Sequence, residues 1–181
     1  MRVTHTACYL SLILLLVLFG AVVSTSRFTN IICKSFDESL AIFQYCRLTV
    51  PKRGTIALSL YAKILKKPFS NITINLSLFK KFNGYRPFLQ NVSVDLCSFM
   101  ANRKRFPFVK IYFDAFAKYS NFNHTCPFNH DIVFNNLVMR DDMFARFPIP
   151  GGEYMFKAVY AMNMEWKVET RVYLLVNVNA K

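Results

Sequence analysis

No catalytic signature runs through this chain, which has no H-E-x-x-H, no C-x-x-C pair and no nucleophile motif. That removes the motif-bearing hydrolases and zinc sites. Acidic residues are scarce: ten Asp and Glu stand against 23 Lys and Arg, a formal net charge of +13. Internal repeats and low-complexity tracts are absent, which excludes solenoids and disordered arrays. Apart from one run at the N-terminus there is no long apolar stretch, so no further membrane span is expected.

The N-terminal run has the layout of a secretory signal peptide. Arg2 precedes the apolar Tyr9–Val23, and the small polar Ser24-Thr25-Ser26 follows. We expect residues 1–26 to be a signal peptide cleaved near Ser24–Ser26; an uncleaved anchor would be short for a span of ~20 residues. A single domain over 27–181 remains, secreted and extracellular, its charge reduced from +13 to +12 by the loss of Arg2. Cleavage also removes Cys8 and leaves Cys33, Cys46, Cys97 and Cys126. An even count in an oxidising compartment predicts two disulfides. Three connectivities are open and spacing does not choose among them; Cys33–Cys46 with Cys97–Cys126 is the pairing we favour.

Aromatic residues, by contrast, are abundant: 19 Phe, nine Tyr and one Trp. They fall on elements that mostly alternate. Ile72, Ile74, Leu76 and Leu78 oppose Asn71, Thr73, Asn75 and Ser77, the two-residue period of a strand with one buried face. Val92, Val94 and Leu96 repeat it, and Asn83-Gly84 between the two runs predicts a hairpin with a type I′ turn. A two-residue loop there would mix the faces, so one odd residue must be absorbed. Arg86-Pro87 is the expected bulge, with Lys80, Lys81, Tyr85 and Arg86 gathered beside it. Sequons at Asn71, Asn75 and Asn91 lie on this hairpin and a fourth at Asn123, marking candidate glycosylation sites.

Residues 28–36 and 40–50 suit strands, with a short helix from Asp37 as the alternative, and Ile56–Ile64 alternates as a strand. Phe108, Tyr112, Ala115, Phe116 and Tyr119 recur at helical spacing behind Pro107, predicting one amphipathic helix near 107–119 with that stripe facing inward. Ser120–Asp131 reads as a polar loop and Ile132–Met139 as a strand. Tyr154–Met162 and Trp166–Val178 alternate as a hairpin; a three-residue loop Asn163-Met164-Glu165 would pair Met162 with Trp166 and Phe156 with Val172. Short strands, turn signals and one helix predict a mainly β fold, an antiparallel β-sandwich or cup.

Only the His124–Asp131 loop gathers catalytic-type residues: His124, Cys126, His130 and Asp131. They could bind zinc or move protons, but the simpler reading is a polar loop pinned by a disulfide. A ribonuclease would need a cation beside the histidines, and none is near in sequence. We expect no catalytic residues, metal or cofactor. The positive charge suits an anionic partner such as lipid headgroups, an acidic glycan or a receptor face; nucleic acid is not expected, because no recognition motif is present. The aromatic faces could instead line an apolar pocket between sheets.

Lys80-Lys81-Phe82-Asn83-Gly84-Tyr85-Arg86-Pro87-Phe88-Leu89 with Asn91-Val-Ser-Val-Asp95-x-Cys97, Tyr119–Asp131 and Phe147-Pro-x-Pro-Gly-x-x-Tyr154 resembles an insect family. These are the fruit-fly secreted proteins carrying the domain of unknown function 1091, and the resemblance runs from about Cys33 to Val178. Phe128 departs from it, standing where tyrosine is expected. That family is similar to the chemosensory B proteins and, through them, to ganglioside-activator and ML-type lipid-recognition proteins. The resemblance implies a non-enzymatic β-cup that carries or presents a hydrophobic, lipid- or pheromone-like ligand, in chemosensation. Phe113, Phe116, Phe156, Tyr160 and Trp166 are the candidate lining residues. The alternative is an interaction module without a cavity, docking through Lys80, Lys81, Arg86 and Arg103–Arg105. A hydrolase built on His124, His130 and Asp131 is a third reading.

Overall fold

The computed structural model describes residues 22–180 except 90, 141–142 and 144–148. Residues 1–21, most of the expected signal peptide, lie outside the described residues, as does Phe147-Pro148. The described chain folds as β1 (Val22–Ser35), β2 (Ala41–Lys52), β3 (Thr55–Ile64), β4 (Ile72–Phe82), β5 (Gly84–Pro87) and β6 (Val92–Asp95), followed by α1 (Leu96–Ala101), α2 (Pro107–Phe116), β7 (Ile132–Val138), β8 (Gly152–Met162) and β9 (Glu165–Ala180). Six strands form one antiparallel sheet in the order β1-β9-β8-β4-β5, with β6 also on β4; β2-β3-β7 form the second. The protein is mainly β, and the two sheets face each other as a sandwich.

The inward faces follow the alternation in the sequence. Ile72, Ile74 and Leu78 of β4 and Leu58, Leu60 and Ala62 of β3 are buried. Residues 37–40 make a turn, not a helix: the Ser39 N–H and hydroxyl both donate to the Asp37 carboxylate, which satisfies the chain locally before β2 starts. Both expected disulfides are present, Cys33–Cys46 and Cys97–Cys126. The first ties β1 of the large sheet to β2 of the small one.

The central hairpin forms, but its register differs from expectation. Phe82 pairs with Gly84 and Phe79 with Pro87, so only Asn83 separates the strands. Gly84 alone takes positive φ there, at 110°, and the turn is therefore not type I′. This tighter turn already keeps the faces in phase. Pro87 stays paired, and the ladder breaks just after it. Phe88 and Leu89 both donate their N–H to the Leu78 carbonyl, and pairing resumes as Ile74–Val94 and Leu76–Val92. The second half of the hairpin is also shorter than expected. It ends at Asp95, whose carboxylate accepts the Ser98 N–H at 2.6 Å and starts α1 in place of further strand.

At the C-terminal hairpin Phe156 pairs with Val172 and Tyr160 with Val168 as expected, but the turn is two residues long. Asn163 and Met164 both have positive φ, 50° and 66°, the type I′ geometry that we expected at Asn83-Gly84. The spare residue becomes a bulge: Ala161 pairs with Trp166 and Met162 with Glu165. A one-residue slip turns a side chain to the opposite face, and Trp166 accordingly stands 49% exposed.

α2 runs close to its expected span and continues as a 3-10 turn over Ala117–Tyr119. Its most buried residues are Val109 and Phe113, whereas Phe108 is 62% exposed. The inward stripe is offset by one residue from the expected one because α1 covers the Val109–Phe113 side: Phe99 packs edge-on against Phe113 at 5.3 Å.

Candidate functional site

Between the sheets lie two adjoining apolar chambers. The first is about 140 Å³ and is bordered by Phe43, Leu60, Ile74, Phe113, Phe122 and Val168 among others. The second is about 170 Å³ and is bordered by Phe28, Leu58, Ile111, Met139, Val172 and Leu174. Leu60, Tyr112, Phe116, Phe134, Phe156, Ala158, Tyr160 and Thr170 border both. A groove of about 300 Å³ lies outside them, where α2 passes the break between β5 and β6; Leu89, Val92 and Phe108 form its exposed lip. Tyr112 and Phe156 border all three spaces. Their rings stack at 5.2 Å between centroids, an apolar partition between groove and chambers.

Of the five residues singled out from sequence, Phe113, Phe116, Phe156 and Tyr160 border the chambers. Trp166 does not, because the β8–β9 bulge faces it outward. Tyr112, Phe134 and Thr170 were not anticipated. Thr170 had a signal, being the one polar residue in the apolar alternation from Trp166 to Val178.

Polar groups among the chamber residues are few. They include the Tyr160 and Thr170 hydroxyls, and burial pushes the Tyr160 phenol above its ordinary range. Burial does the same to Tyr112. Both phenols are therefore neutral hydrogen-bonding groups near neutral pH. Lys167 reaches the first chamber's border, but its ammonium is engaged by Asp37 at 3.0 Å and Glu165 at 2.6 Å.

The His124–Asp131 loop comes together only in part. His124 and His130 face each other through Nε2 atoms 2.5 Å apart, and each Nδ1 lies 2.7 Å from a backbone carbonyl, of Thr125 and Asp131 respectively. The Asp131 carboxylate takes no part. It accepts the Tyr61 hydroxyl at 2.7 Å and the Ile64 N–H at 2.9 Å, and pairs with Lys67 at 2.6 Å. Cys126 is in its disulfide. Among the described residues, no group of three or more His, Cys, Asp or Glu could hold a metal ion. What the loop does build is aromatic packing. Phe128 is fully buried and stacks on Phe122 at 4.7 Å and on Phe69 at 5.5 Å, two residues that border the first chamber.

Asp131 thus holds the loop to β3. The Lys67 contact leads in keeping its carboxyl well below the usual carboxylate range, at about 2. A carboxyl whose pKa falls on folding stabilises above its unfolded value and loses that contribution on acidification. We expect this share of stability to be complete above about pH 5 and to be lost progressively on acidification, until it is gone near about pH 1. Asp131→Asn should cost about 1–2 kcal/mol near neutral pH and little at the acid end. Urea unfolding at several pH values reads this directly; an equal loss at all pH values would refute it.

The basic residues are partly occupied. Lys81 pairs with Glu153 at 2.9 Å. The Lys80 ammonium lies over the Tyr154 ring at 5.4 Å and the Arg103 guanidinium over Phe113 at 4.5 Å. Asn71, Asn91 and Asn123 are exposed and Asn75 is partly so; the Asn75 amide donates to Ser93 at 2.8 Å. No helix among the described residues is long and apolar enough to cross a membrane.

Residues 74–156, from β4 into β8, match a family described as a protein of unknown function, DUF1091. The match takes in α1, α2, the His124–Asp131 loop and the outer groove. No curated protein matches the chain.

Proposed function

We propose that this protein is a secreted, non-enzymatic carrier that holds a small hydrophobic molecule between its two sheets. The observation that carries the reading is the pair of adjoining chambers with an almost wholly apolar border. A folded core is otherwise packed to crystal-like density, with few voids larger than a water. A cavity of ~150 Å³ lined by Leu, Ile and Phe stays dry and takes up benzene. Each chamber here is near that size, so the two suit a ligand of about ten to twelve carbons and not a two-chain lipid. The outer groove is its way in, and the Tyr112–Phe156 partition is the barrier that it passes. The apolar run before Ser24 and the two disulfides support export. The resemblance to chemosensory and lipid-recognition proteins supports a diffusible signal as cargo.

Native mass spectrometry of protein secreted from insect cells, with organic extraction, tests this. We expect stoichiometric apolar ligand, or uptake of N-phenyl-1-naphthylamine by the stripped protein, and faster uptake after Tyr112→Ala. An apo mass without probe uptake would overturn the carrier and leave the basic-face interaction module.

A further inference from the structure

The position of the polar groups says more about the ligand than the size of the chambers. Tyr160 and Thr170 lie diagonally across β8 and β9 on one face of the large sheet, and both border both chambers. Two hydroxyls carry two protons and several lone pairs. Donor and acceptor capacity is thus brought to the junction, with apolar walls on either side. In a site of this kind a few placed polar groups fix orientation. A ligand whose polar atom lay at one end would put that atom deep in an apolar chamber, unpaired, at a desolvation cost. A ligand whose polar atom lay midway would bring it to the hydroxyl pair, with an apolar arm in each chamber.

Building on the carrier reading, we propose that the ligand class is an apolar molecule with a single interior oxygen. A ketone or a secondary alcohol flanked by two arms of about five or six carbons would suit, its oxygen bonded at the Tyr160–Thr170 pair. Tyr112 borders both chambers as well, but it stacks on Phe156 and serves the partition.

Displacement of N-phenyl-1-naphthylamine from the stripped full-length protein tests the assignment with three ligands: di-n-pentyl ketone, n-undecanol and n-undecane. The alkane leaves water more readily than the ketone, so the comparison that decides is between proteins. In Tyr160→Phe and in the near-isosteric Thr170→Val, we expect the central ketone to lose about tenfold in affinity. The alkane should keep its affinity, and Thr170→Ser should restore the ketone. Two variants guard against a folding failure in either one, and their thermal unfolding is followed alongside. An equal change for ketone and alkane would overturn the assignment while leaving the carrier intact. A terminal alcohol that loses as much as the ketone would overturn the interior position. Failure of the unaltered protein to bind the probe or any of the three would instead overturn the carrier reading itself.

Discussion

Phe128→Ala lowers the free energy of unfolding by about 3–5 kcal/mol, the cost of emptying a fully buried aromatic site. Its ring is wholly inaccessible and contacts the rings of Phe122, Phe69 and His124 at 4.7, 5.5 and 4.7 Å. The backbone beside it is fixed as well, since Phe69 and Phe128 exchange both N–H···O bonds, at 2.8 and 2.9 Å. The site therefore cannot collapse freely around the missing ring, which places the cost toward the upper end. Phe122 and Phe69 border the first chamber, so the variant that survives should also hold a larger ligand. Chemical denaturation of Phe128→Ala beside Phe128→Leu measures the effect. A loss under about 1 kcal/mol for alanine would mean that the ring is not a structural anchor.

Removing the Cys97–Cys126 bridge, as Cys97→Ala with Cys126→Ala, should cost about 3–4 kcal/mol from loop-closure entropy alone. The bridge spans 29 residues and joins α1 to the His124–Asp131 loop. For a domain of this size that loss lowers Tm by about 10 °C. The Cys33–Cys46 bridge closes only 13 residues, and its removal should cost less, about 3 kcal/mol. Combining the Cys97–Cys126 deletion with Phe128→Ala should cost less than the two separately. Once the loop is untethered, much of the Phe128 packing is already lost, and neighbouring changes of this kind do not add. Scanning calorimetry of the three proteins measures the coupling, and strict additivity would show that the loop is held independently at its two points.

Much of the scaffold was legible because it rests on local periods. The alternation of Ile72, Ile74, Leu76 and Leu78 survives as the inward face of β4, and Pro107 opens α2 as its position suggested. α1 was hidden by the apolar residues that continue the strand pattern through Leu96. Its signal was Asp95 three residues before Ser98, an N-cap spacing. The offset of α2 could not be read locally, because nearly every position of the helix is apolar and only the partner α1 decides which side is covered.

Local sequence is enough for the alternating strands, the antiparallel hairpins, the helix near 107–119 and the even set of four cysteines after the expected cleavage. Each follows from a periodicity or a count that a short stretch carries alone. Tertiary structure decided where the strands slip and what gathers between the sheets. The tight turn at Asn83, the bulge beside Trp166 and the break after Pro87 are register choices, settled by which faces must meet across a sandwich. Those choices turned Trp166 out, opened the groove by α2 and set Tyr160 beside Thr170 across β8 and β9. A cavity is the volume that side chains from distant segments leave unfilled, and no local pattern encodes it.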